Sequence, residues 1–326
     1  MIKDVLPYIL IFITTLIFTA FFVANFIPIF SKSAKQPIYE GGPSWHMKKS
    51  GTPTMGGVGF LLPVMLVGLL FCIPLQLSGN KAAALSIFIS LMFALLNAMI
   101  GLLDDLTKLR HKENRGLTPA EKIFLQAVAV SLFLAARAIF LGAGTSVSLF
   151  SYNLELGAFY YPAVGFILLG IINCANLTDG IDGLASTVAF AAGISLFYSA
   201  FPHHPTASAI SAALIGATVG FLIFNIHPAK IFMGDTGSLF LGSLVASAAL
   251  DAGGPVLVLG TGTVYVIEGV SVVLQVAVFK IARRRIFKMA PLHHHLEKSG
   301  WSENKICISA ILLTLLSSLI VSSLLL

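Results

Sequence analysis

Charge is scarce in this sequence. Only 10% of its 326 residues are Asp, Glu, Lys or Arg, whereas a soluble domain carries about 25%. That shortage excludes a separate soluble catalytic domain, and it leaves too little polar protein to present a groove to nucleic acid. Cysteine is scarce as well. Cys72, Cys174 and Cys307 are scattered in or near apolar segments, which excludes a disulfide framework or cysteine metal site and fits small buried hydrophobes.

What abounds is apolar length. The chain is 57% hydrophobic with a mean hydropathy of +0.93, the composition of a polytopic membrane protein. Ten runs approach the roughly 20 apolar residues that a span requires: 5–30, 57–77, 83–103, 118–142, 158–176, 184–201, 207–226, 236–250, 255–279 and 305–326. The first is too long for a signal-peptide core, has no small-residue cleavage site after it and reads as a retained helix. The eighth is short. The ninth carries Glu268 in its interior; a carboxylate at mid-depth is costly, so either a break near Glu268 or a polar cavity is expected there. Residues 143–157 alternate weakly between turn residues and read as a small extracytoplasmic hairpin. The expected fold is all-α, a single transmembrane catalytic domain over 1–326 with ten transmembrane helices, the ninth broken.

The few charges are unevenly placed. The loops after spans 1, 3, 5, 7 and 9 (31–56, 104–117, 177–183, 227–235 and 280–304) and their edges hold 16 of the 20 basic residues. The opposite side holds Lys3 and Lys81, while Lys122 and Arg137 lie within the fourth span. The positive-inside rule then makes those five loops cytoplasmic and both termini extracytoplasmic. Arg137 is near the outer end of its span and is expected to snorkel.

Five of the seven aspartates fall on that cytoplasmic face, each beside the end of a span: Asp104 and Asp105, Asp179 and Asp182, and Asp235. Carboxylates gathered in one cleft repel unless cations offset them. Hard oxygen ligands favour Mg2+, which takes one or two carboxylates plus substrate phosphates. Lys48, Lys49, Lys108 and Lys112 share these loops and suit phosphate oxygens. The pattern indicates magnesium-dependent phosphoryl chemistry. The plainer alternative is helix capping, by Asp179 or Asp182 for the sixth span and by Asp235 for the eighth. Asp104 and Asp105 are adjacent, point about 100° apart on a helix, and should do different jobs.

Other polar stretches leave alternatives open. KKSGTPTMGG at 48–57 lacks the order of a P-loop; it is either a phosphate-facing loop or a flexible entry to the second span. His293, His294 and His295 are consecutive and cannot all face one way, so zinc is disfavoured, and phosphate contact or proton transfer suits them better. The basic run 280–288 suits anionic membrane lipids or the attraction of a polyanionic substrate. Asn176 and Gln275 stand near inner helix ends, for substrate contact or helix association. Phe232, three residues before Asp235, is placed to stack on a flat ring or simply to pack.

The stretches HMKKSGTPTMGG, GLLDDLTK, NLTDGIDGL, FMGDTGS, EGVSVVLQ and PLHHHLEKSGW resemble the polyprenyl-phosphate N-acetylhexosamine-1-phosphate transferase superfamily. Within it they resemble the phospho-N-acetylmuramoyl-pentapeptide transferase family. The resemblance spans residues 46–301. It implies transfer of phospho-MurNAc-pentapeptide from UDP-MurNAc-pentapeptide to undecaprenyl phosphate, with Mg2+ as cofactor and a homodimeric assembly. It further implies metal binding at Asp235, catalytic roles for Asp104, Asp105, Asp235 and His294, and a uracil-stacking role for Phe232. Substrate contacts are implied for Lys49, Thr54, Lys112, Asn176, Asp179, Asp182, Gln275, His293 and His295. The last span departs from the family: NKICISAILL lacks the usual arginine–aromatic pair. Two rival functions are a transferase using UDP-GlcNAc as donor and a secondary transporter; the latter expects inverted repeats and mid-membrane polar groups, whereas here the polar groups collect at one face.

Overall fold

The computed structural model describes residues 2–34, 49, 51–111, 116–149 and 152–325. Its elements, in chain order, are α1 (Ile2–Ser33), α2 (Val58–Leu77), α3 (Lys81–His111), α4 (Pro119–Leu141), β1 (Ser146–Leu149), β2 (Tyr152–Glu155), α5 (Tyr160–Thr178), α6 (Leu184–Ala200), α7 (Pro205–Asn225), α8 (Gly234–Thr261), α9 (Thr263–Ala282), α10 (Leu292–Glu297) and α11 (Glu303–Leu325). Among the described residues, nine helices are long and apolar enough to cross a membrane, and α6 is a shorter apolar helix of 17 residues. The chain is therefore an all-α multi-pass membrane protein. The hairpin anticipated at 143–157 is present, with β1 antiparallel to β2 and Val147 opposite Leu154.

Helices α3, α7 and α8 form the buried interior, while α1, α4, α9 and α11 present most of their surface outward. Small residues let the inner helices close up. Gly216 and Gly220 of α7 form a GxxxG pair against α1, where a β-carbon at 216 would overlap the Phe12 carbonyl. Gly101 of α3 does the same against α8, because a β-carbon there would overlap the Asp235 carbonyl. This second contact presses the aspartate end of α3 onto the first turn of α8.

Two interruptions precede Glu268. Within α8, Gly253 and Gly254 leave helical geometry, and α9 begins after a turn at Gly262. Glu268 lies six residues beyond that turn in continuous helix, so no break adjoins its side chain. Arg137 departs from the snorkelling expectation. Its guanidinium bonds the Asp251 carboxylate of α8, which Ser86 of α3 also bonds, and it lies 5.6 Å from the centre of the Phe133 ring. Both charges are largely buried, and pairing removes the need to reach the interface.

Candidate active site

The C-termini of α3 and α5 and the N-termini of α4 and α8 meet at one end of the bundle. Each chain segment is fixed locally. Thr118 and Glu121 form a capping box with Pro119 at the first turn of α4, which aims the following Lys122 at the cluster. Residues 53–57 are bound to the approach to α8: Phe232 N–H donates to the Pro53 carbonyl at 2.8 Å, and Gly56 N–H donates to the Phe232 carbonyl at 2.9 Å. Thr54 and Phe232 are thereby brought beside Asp235.

The paired aspartates diverge as adjacent helical residues must. Asp105 is buried and turns to α8, accepting from Asp235 N–H at 3.0 Å, Thr236 N–H at 2.9 Å and the Thr236 hydroxyl at 2.7 Å. It satisfies the exposed donors of that helix start. Asp235 therefore leaves the capping role to Asp105. Asp104, also buried, turns toward the start of α4, accepting from Leu117 N–H at 2.8 Å and meeting Lys108 Nζ at 2.6 Å and Lys122 Nζ at 3.4 Å. Asp235 meets Lys122 Nζ at 2.5 Å, Lys108 Nζ at 3.2 Å and Asn176 Nδ2 at 3.0 Å. Asn176 also donates to the Ser238 hydroxyl at 2.8 Å.

A second polar group lies alongside. Asp182 accepts from Lys49 Nζ at 2.7 Å and from Ala229 N–H at 3.0 Å, and its other contact is His227 Nδ1 at 3.0 Å. Glu303 of α11 accepts from Lys49 Nζ at 2.8 Å and from Asp182 N–H at 2.7 Å. Burial opposes the Lys49 charge, but its bonds to Asp182 and Glu303 outweigh that and raise the amine above the usual lysine range. Asp179 ends α5, and α6 begins after Gly183, so neither Asp179 nor Asp182 caps α6. Burial, then the charges of Asp235, Asp105 and Asp182, push the Asp179 carboxyl well above the usual range, with Lys108 pulling the other way. Beyond His227 and Glu303 a pocket of about 550 Å³ runs along Trp301, Lys298 and Asn304.

The remaining sequence candidates are arranged around this centre. Gln275 uses its amide oxygen to accept from Ile286 N–H at 3.1 Å and Phe287 N–H at 3.0 Å, which straps the 283–291 loop to α9. His293 is fully buried against Glu268, His294 Nδ1 lies 2.7 Å from Glu297, and His295 Nδ1 accepts from Lys288 N–H at 3.1 Å. Lys112 lies outside the described residues. Lys122, His227 and Glu303 are neighbours of the site that sequence reasoning did not single out; Glu268, noted there as a costly carboxylate within a span, lies buried against His293. The one usable signal was position: Lys122 and Glu303 stand in the first turns of spans that start at the same face as the aspartates.

One carboxylate oxygen from each of Asp104, Asp105 and Asp235 lies within 4.8 Å of the others, and Asp182, His227 and Glu303 meet the same spacing. Either group suits a divalent ion by its donors. The all-oxygen aspartate group fits Mg2+ better, since Lys49 already bridges Asp182 and Glu303.

An all-α membrane bundle with aspartates and lysines joined at one end defines a membrane-embedded transferase acting on phosphorylated substrates, and residues 87–253 match glycosyl transferase family 4. Residues 49–61, the segment bearing Lys49 and Thr54, match signature 1 of the phospho-N-acetylmuramoyl-pentapeptide-transferases. A phospho-N-acetylmuramoyl-pentapeptide-transferase of Caldanaerobacter subterraneus subsp. tengcongensis is 42% identical over 319 residues, covering 94% of this chain and 96% of that protein. That of Halalkalibacterium halodurans is 40% identical over 308 residues, covering 93% and 92%. The chain belongs to the phospho-N-acetylmuramoyl-pentapeptide-transferase family.

Proposed function

We propose that this chain transfers phospho-MurNAc-pentapeptide from UDP-MurNAc-pentapeptide to undecaprenyl phosphate, forming lipid I and UMP in peptidoglycan synthesis. The observation that carries this reading is the junction of Asp104 and Asp235 with Lys108 and Lys122 at one end of an apolar bundle. Two anions must meet in this reaction, and lysines on short tethers to carboxylates can turn to phosphate oxygens. A phosphate oxygen of the lipid attacks the β-phosphorus of the donor, the bond from that phosphorus to the bridging oxygen breaks, and UMP departs with the electron pair. The incoming phosphate is already ionised, so a single displacement needs no aspartyl intermediate. Lys108 and Lys122 hold the reacting phosphates, Asn176 orients Asp235, and Asp105 keeps the first turn of α8 in place. Mg2+ held by Asp235 with Asp104 would supply charge neutralisation of the diphosphate.

Substrate contacts by Lys49, Thr54, Lys112, Asp179, Asp182, Phe232, His294 and His295 belong to this same reading, whereas His293 is fully buried and supports the site from behind. So does a topology of ten spans counting α6, a ninth span interrupted at Gly262, extracytoplasmic termini and a cytoplasmic site in the inner membrane; the distribution of basic residues supports it. The exposed run Lys280, Arg283, Arg284, Arg285 and Lys288 supports contact with anionic lipids. A homodimer rests on the family alone.

UMP release measured in detergent or bilayer, with both substrates and with or without Mg2+, tests the function. Asp235→Ala should abolish the magnesium-dependent turnover, and near-normal activity would remove Asp235 from its role. Turnover with UDP-GlcNAc in place of the pentapeptide donor would replace the donor assignment.

A further inference from the structure

Glu268 is the one acidic residue in α9, and burial isolates it from solvent. Both its oxygens accept from His293 N–H at 3.2 Å, and its Oε2 lies 3.1 Å from His293 Nδ1. An ionised carboxylate only accepts hydrogen bonds, which assigns the ring proton of a neutral His293 to Nδ1. Glu268 thus performs two tasks. It holds the backbone of α10, a six-residue helix too short to persist unaided, and it fixes one ring orientation and tautomer.

The other ring nitrogen is the informative atom. His293 is fully buried, and its Nε2 has no hydrogen-bond partner among the described residues. That nitrogen abuts Gly180, where a β-carbon would overlap it. Gly180 lies in the turn between Asp179 and Asp182. We infer that Glu268 is a positioning residue for this turn: it locks the His293 ring behind Gly180, and the ring sets where Asp179 and Asp182 stand. The link runs from α9 through α10 to the end of α5. It explains why residue 180 has no side chain and why one of three consecutive histidines is turned wholly inward.

This inference rests on the proposed reading of the 179–182 turn as donor-facing, and its test separates the two. Glu268→Gln keeps the shape but presents an amide N–H that favours a ring proton on Nε2. Nitrogen-15 spectra of histidine-labelled protein, assigned by comparison with His293→Asn, read that tautomer without any turnover. Wild-type protein should show the Nδ1–H form and Glu268→Gln the Nε2–H form; the same tautomer in both would overturn the inference. In the UMP-release assay Glu268→Gln should raise the donor KM about tenfold and leave the undecaprenyl phosphate KM unchanged. Equal effects on both substrates, or none, would also overturn it.

A contact-specific rescue guards against a merely unfolded variant. Gly180→Ala alone should lose donor binding, whereas Gly180→Ala combined with His293→Asn, which empties the space behind residue 180, should recover part of it. Absence of recovery in a folded double variant would sink the proposed contact. Wild-type protein inactive with the pentapeptide donor would instead refute the proposed function and leave the tautomer result standing.

Discussion

Asp105 and Thr236 are joined twice, through the Thr236 N–H at 2.9 Å and its hydroxyl at 2.7 Å, so one carboxylate on α3 fastens the first turn of α8. An amide at residue 105 retains a single acceptor oxygen for donors that now share two. Asp105→Asn should therefore lower both stability and turnover, by about 1–3 kcal/mol for each backbone donor left unpaired. Thermal unfolding in detergent beside the UMP assay checks this. Lost activity at unchanged stability would assign Asp105 a purely chemical role instead.

Lys122 is the nearest cation to Asp235. Lys122→Gln keeps the length of the side chain and removes the charge that the reacting phosphates would meet. Turnover should fall about 10²-fold or more with little change in melting temperature. Full activity in this variant would leave Lys108 as the sole lysine serving the cluster.

The Asp179 carboxyl is raised by burial and by its acidic neighbours. A carboxyl so raised binds its proton more tightly folded than unfolded. Its effect on stability is absent below the unfolded pKa and becomes a growing penalty as pH rises through the folded value. Asp179→Asn should consequently melt at a higher temperature than wild type at neutral pH, with the gain vanishing near pH 3, while turnover drops. A lower melting temperature at neutral pH would contradict the raised carboxyl.

Arg137 and Asp251 lie at the end of the bundle opposite the aspartate cluster. Removing one partner from a buried pair strands the other charge, at a cost of about 3–5 kcal/mol. Arg137→Leu should destabilise strongly, and Arg137→Leu with Asp251→Leu should restore most of the loss. Because the pair is remote from the site, KM values should stay at wild type in the double variant. Unequal KM values would tie this outer pair to the chemistry.

The gathering of Asp104, Asp105, Asp179, Asp182 and Asp235 was legible in the sequence because each adjoins the end of an apolar run, and alternate run ends must share a face. The hairpin was legible from its turn residues. The destination of each side chain was not. Asp104 and Asp105 were expected to diverge, but nothing local shows that one would seize the α8 backbone. Lys122 was counted as part of a span, since hydropathy does not register which way the first turn of a helix faces. Glu303 meets Lys49 across 254 residues, and Glu268 meets His293 across 25; such pairings exist only once helices have packed. Arg137 was misjudged for the same reason, its partner being a lone aspartate on another helix.

Lys108 and Lys122 contact the carboxylates of Asp104 and Asp235 directly. The centre thus carries its own counter-ions. A diphosphate entering it joins an exchange in which ammonium groups trade one oxyanion for another, rather than adding charge to a bare acidic surface. Rearrangement of those ion pairs, more than long-range attraction, would then govern how readily the donor seats.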